Sequence, residues 1–106
     1  MSFQSGALNV GKGYFEADLA DWNLLATEGS REYTSQVTFP KEFGEVPDVK
    51  ASMMGFHVQK GEDARVAIGV STVTTTGFTL HVVAWGDTSV VGVGVIWMAY
   101  DSDSAL

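Results

Sequence analysis

Residues 77–100 read GFTLHVVAWGDTSVVGVGVIWMAY, and the fold turns on this stretch. It predicts two strands joined by a short polar loop. Successive side chains alternate across a strand. Over residues 78–85, Phe78, Leu80, Val82 and Ala84 therefore share one face, and Thr79, His81, Val83 and Trp85 share the other. Gly86, Asp87, Thr88 and Ser89 supply turn chemistry: a residue free to take positive φ, then short polar side chains. Over residues 90–100, Val91, Val93, Val95, Trp97 and Ala99 fall on one face. Val90, Gly92, Gly94, Ile96, Met98 and Tyr100 fall on the other. A strand apolar or bare on both sides is expected to be covered on both. Its two glycines predict close approach of another group. Trp85 stands at the mouth of the loop, just before Gly-Asp, and marks the candidate site.

Working outward, residues 3–10 (FQSGALNV) predict a first strand, and residues 11–13 (GKG) a turn. Residues 14–27 place Leu19, Trp22 and Leu25 at helical spacing between loop-like flanks. They are read as an irregular segment that Trp22 anchors to the core. Residues 29–39 alternate with Tyr33, Ser35, Val37 and Phe39 inward, the half-buried pattern of an antiparallel sheet. The only two prolines bracket a loop at 40–47, before a strand at 48–58. A polar turn at 59–63 leads to a strand at 64–73, and TTTG at 74–77 returns the chain to the opening pair. Short strands separated by turn signals roughly every 8–12 residues predict an antiparallel sandwich or small barrel. The expected organisation is one all-β domain over residues 1–100 with a polar tail, DSDSAL, over 101–106.

At 106 residues the chain can bury one core, and 45% hydrophobic against 18% charged residues is a globular composition. No apolar run approaches the ~20 residues of a membrane helix, so membrane insertion is not expected. The opening MSFQSGALNVGKG has neither a basic n-region nor a long apolar core. It predicts cytoplasmic residence or export without a leader peptide. The absence of cysteine excludes disulfides, thiolate metal sites and a cysteine nucleophile. The net charge of −7 and six scattered basic residues disfavour nucleic acid and anionic membrane surfaces. His57 and His81 stand apart without a ligand partner in sequence, so neither a metal nor a cofactor is expected. With no nucleophile motif, an enzyme is not expected either. Uncharged ligands suit this composition better.

The ordered set of residues resembles the H-type lectins, which include the snail agglutinins and the C-terminal domain of the discoidins. The resemblance rests on Phe3-Gln4-Ser5-Gly6, Trp22 in the following loop, and Thr38-Phe39 before a loop with Phe and Pro. It continues through Pro47-Asp48-Val49, Ala64-Arg65-Val66, Thr76-Gly77-Phe78 and Ala84-Trp85-Gly86-Asp87-Thr88, and ends with Ile96-Trp97-Met98-Ala99. It implies a six-stranded antiparallel β-sandwich assembling as a trimer or hexamer. It also implies binding of N-acetylgalactosamine or galactose-type glycans between protomers. The family's arginine matches Arg65 and its sugar-contacting tryptophan matches Trp85. A family carboxylate falls near Glu28, with Asp21 as its rival. Gly86 stands where snail members carry a sugar-contacting His, and Val91 where they carry a binding Tyr. The snail proteins also pair cysteines near Val10 and Val82, where an apolar contact would serve here.

These residue types suit a sugar. An aromatic face covers the C–H patch of a pyranose, while charged groups take its hydroxyls in charge-assisted hydrogen bonds. Trp85 fits the first task; Arg65 with Glu28 or Asp87 fits the second. Shallow sites of this kind gain from repetition in an oligomer. Each residue also has a plainer reading. Trp85 packs on a rim, Arg65 forms an ion pair, Asp87 shapes the turn, and Glu28 is simply exposed. Trp22 and Trp97 are assigned to the core. A structural or adhesion subunit of a virion or surface assembly is the competing expectation to a lectin.

Overall fold

The computed structural model describes residues 2–60 and 64–101. Its strands are β1 (Phe3–Tyr14), β2 (Ala17–Asp18), β3 (Arg31–Thr38), β4 (Asp48–Lys60), β5 (Val66–Ser71), β6 (Gly77–Ala84) and β7 (Ser89–Tyr100). They form two antiparallel sheets, ordered β2-β1-β7-β4 and β3-β6-β5. The expected sandwich is therefore present: six substantial strands, with the two-residue β2 added among the described residues. Gly61, Glu62 and Asp63, most of the expected 59–63 turn, lie outside the described residues, as does the tail from 102. Asp101 is buried, and its amide donates to the Ser2 carbonyl at 3.3 Å.

The core forms where the inner faces meet. Phe78, Leu80, Val82 and Ala84 of β6 are buried, opposite Val93, Val95, Trp97 and Ala99 of β7. Fully burying each large member contributes roughly 1.5–3 kcal/mol. Val10 and Val82 both lie in this core, so the expected apolar contact region is formed there. Trp97 covers Gly6, where a Cβ would fall 2.7 Å from its ring.

Residues 11–13 are not a turn. They stay in β1, because Gly11 still pairs with Gly92 of β7 and Lys12 pairs with Asp18 of β2. The ladder carries the strand on to Tyr14. That extension explains the glycine at 92: a Cβ there would lie 2.2 Å from the Tyr14 Cβ. The outer face of β7 is covered only over this first half. Further along, Ile96 and Met98 are 46% and 43% exposed in the single chain, so the expectation of two covered faces holds for half the strand. The alternation at 90–93 also departs from expectation. Val91 is an extra residue in β7, since His57 pairs with Gly92 and Val58 with Val90. This bulge turns Val90 into the core and leaves Val91 half-buried.

The irregular 14–27 segment is tied down as expected. Trp22 is buried, and its Nε1–H donates to the Val90 carbonyl at 2.8 Å. The Val90 amide donates to Leu24 at 2.7 Å and the Ser89 hydroxyl to Leu25 at 2.8 Å. The loop is thus laid along the start of β7, at the end of the sandwich that carries Trp85.

A candidate binding site at the β6–β7 turn

Arg31 opens β3 at an inward position and is 9% exposed. Its Nη1 donates to the Gly29 carbonyl at 2.6 Å and to the Gly86 carbonyl at 2.8 Å; its Nη2 donates to the Thr88 carbonyl at 2.5 Å. One buried guanidinium therefore binds the segment before β3 to the turn between β6 and β7. Hydrogen bonds from a charged donor contribute roughly 1.5–3 kcal/mol each. The buried Thr88 carbonyl would be costly to leave without a partner. The alternation that placed Tyr33, Ser35 and Val37 inward extends to Arg31, and that was the available signal for it. The alternation gives no sign of the three carbonyls that this guanidinium meets.

The turn itself is built on Gly86 at φ +69. A Cβ there would stand 3.1 Å from Arg65 Cδ and 3.2 Å from Nη1, so the Arg65 side chain lies flat across the glycine. The histidine of the snail proteins would meet both the backbone geometry and this arginine. Arg65 Nη1 reaches Asp87 Oδ1 at 3.4 Å. Both side chains are partly exposed, so this pair orients the guanidinium more than it stabilises the fold. The Arg65 backbone is held on both sides. Its amide donates to the buried Thr88 Oγ1 at 3.1 Å, and its carbonyl accepts the Trp85 amide at 3.3 Å. Trp85 is 42% exposed, unlike Trp22 and Trp97.

Arg65, Trp85, Gly86 and Asp87 are therefore brought together. Glu28 is exposed on the segment clamped to Gly86 through Gly29 and Arg31. Asp21 is already engaged, accepting from the Tyr33 hydroxyl at 3.0 Å. Burial, then the hydrogen bond and charge of Asp21, hold that phenol above its ordinary value. Val91 lies in the other sheet, at the β7 bulge, where its carbonyl stands 2.3 Å from where a Gly11 Cβ would be. The arrangement offers an exposed indole, a flat guanidinium and carboxylates on a braced rim, which is a surface for neutral polar ligands.

A two-sheet antiparallel sandwich with its loops gathered at the ends is the architecture of many binding domains. Residues 34–100 match the model of the H-type lectin domain, and the chain belongs to that family. Discoidin II of Dictyostelium discoideum superposes with a TM-score of 0.78 at 26% identity, in both a recombinant and a wild-type structure. The match covers 92% of this chain but only 36% and 35% of the discoidin chains, so this chain spans about a third of them. A protein of Fuscovulum blasticum described as ATP synthase subunits region ORF 7 is 31% identical over 99 residues, covering 92% of this chain and 86% of that one. The tailspike of Pseudomonas phage phi297 shares the fold, with a TM-score of 0.56 at 14% identity over 95% of this chain and 15% of its own. The family and the discoidin likeness point to binding rather than turnover.

Proposed function

We propose that the chain is a lectin that binds N-acetylgalactosamine or galactose-type glycans at the β6–β7 turn, as part of a homo-trimer. The observation that carries the reading is the Arg65 side chain laid over Gly86 and paired with Asp87 beside the exposed Trp85. The indole takes the apolar face of the sugar, and Arg65, Asp87 and Glu28 take its hydroxyls. With Gly86 and Val91 in place of His and Tyr, the hydroxyls rest on Arg65 and its carboxylate neighbours. The choice between sugars follows from that set.

Assembly is supported by the outer face of the four-stranded sheet, where Phe3, Met54, Ile96 and Met98 are exposed together with Ala7. A face of this kind marks an interaction surface. The same face also favours the second reading, a structural or adhesion subunit without a sugar site. A glycan array separates the two. The lectin reading expects hits among terminal GalNAc or galactose structures, lost in Trp85→Ala. An array without hits would overturn it in favour of the subunit, whatever the mass in solution.

A further inference from the structure

The outer face of the three-stranded sheet carries a second constellation, remote in sequence and joined only by folding. Ser71 ends β5, His81 lies in β6 and Glu32 in β3. Ser71 Oγ is 2.5 Å from His81 Nε2, and His81 Nδ1 is 3.2 Å from Glu32 Oε2. The Asn23 side-chain amide donates to the Glu32 backbone carbonyl at 3.0 Å, which holds the main chain there, while the carboxylate is about half exposed. An ionised Glu32 can only accept, so it selects the imidazole tautomer with hydrogen on Nδ1. Nε2 is then left to accept the Ser71 proton. Hydroxyl, base and orienting carboxylate are thus in relay order, which is recognised by geometry and not by sequence position.

Two further features accompany the relay. Thr72, directly after the serine, has φ +52, which is strained for a β-branched residue, and its hydroxyl lies 3.5 Å from Ser71 Oγ. Gly69 pairs with His81 across the ladder, and a Cβ at 69 would meet nothing within 4 Å. The relay therefore opens onto a notch on a flat sheet, with room for a small group and no deep cavity for a long chain.

We propose that Ser71 is a nucleophile that takes acyl groups from short-chain carboxylic esters, with His81 as its base and Glu32 as a positioning residue. Ser71 Oγ attacks the carbonyl carbon as its proton passes to His81 Nε2. The tetrahedral adduct collapses, and the departing alkoxide takes that proton from His81. Water then attacks the seryl ester, giving a proton to His81 Nε2, and His81 returns that proton to Ser71 Oγ as the acyl–oxygen bond breaks, releasing the carboxylic acid and restoring the hydroxyl. This site does not depend on sugar binding.

The test is incubation of the intact protein with p-nitrophenyl acetate, following phenolate release and mapping acetylated peptides by mass spectrometry. Acetylation of Ser71 is expected. His81→Ala should slow it about a hundredfold or more, with partial recovery on adding imidazole. Glu32→Gln should slow it roughly tenfold, and Glu32→Asp should recover part of that loss; this graded response is not expected of a purely structural contact. Gly69→Leu has room for its side chain at the backbone, so it should fold normally yet block the notch. An unmodified Ser71, or a Ser71 acetylated at the same rate in His81→Ala, would overturn the proposal.

Discussion

At one end of the sandwich Phe39, Phe43, Phe78 and Trp97 close the core with ring centroids 5.0–5.8 Å apart. Its turn is satisfied locally: the Thr74 amide donates to the Gly77 carbonyl at 2.9 Å, and Thr74 Oγ1 accepts the Thr76 and Gly77 amides. At the other end the carbonyls of Gly29, Gly86 and Thr88 converge on Arg31. The first end is held by ring packing and by neutral backbone bonds, the Phe39 and Phe43 amides donating to the Thr76 and Thr75 carbonyls at 2.8 and 2.9 Å. The second adds a long-range cation to its neutral bonds, which spares Arg65, Asp87 and Trp85 from bracing the turn alone. The contrast separates scaffold from site: rigidity at the binding end comes from beneath the rim.

Substitutions at the two ends should therefore differ in kind. Trp97→Ala should cost about 3–5 kcal/mol by denaturant unfolding, while the protein that remains folded binds an immobilised GalNAc column as before. Arg31→Met should cost somewhat less, about 2–4 kcal/mol, because several charged hydrogen bonds go and the buried Thr88 carbonyl is left unpaired. It should also abolish retention on the column. If Arg31→Met destabilised but bound normally, the clamp would be scaffold alone. Gly86→Ala comes next. With φ at +69 and Arg65 3.1 Å from the added Cβ, about 1–2 kcal/mol should be lost and the glycan should bind more weakly.

The smallest effect concerns Tyr33. Its folded-state pKa is raised, so the native chain holds the phenol proton more tightly than the unfolded one. The stability this gives is complete below the ordinary value of 10.0 and is lost as pH rises through the higher folded value. The melting temperature should fall above about pH 10. That part of the fall should be absent in Tyr33→Phe.

Much of the fold was legible because burial imposes alternation. The inward sets of β3 and β6, and of β7 from Val93 on, are the apolar sets of the sequence, and turn residues mark the gaps between them. The errors fall where pairing overrides local chemistry. Residues 11–13 read as a turn, but β7 pairs Gly11 and β2 pairs Lys12, with Gly13 taken up in a register shift; the bulge at Val91 shifts a face without any mark in the sequence. Trp85, Arg65, Gly86 and Asp87 were legible as a candidate set that the fold brings together, since an aromatic and charges flank a glycine turn. Arg31 was not, since its three carbonyl partners lie on backbone that no side-chain pattern reports. The Ser71–His81–Glu32 relay was hidden for a similar reason: three adjacent strands assemble it across forty-nine residues of sequence separation.

The central claim, that the braced turn and not another surface takes the glycan, is tested most directly by the three tryptophan indole N–H resonances during titration with GalNAc. The Trp85 signal should shift progressively and saturate, while those of the buried Trp22 and Trp97 stay in place. Trp85 unmoved at saturating sugar, or Trp97 shifting in its stead, would contradict the account.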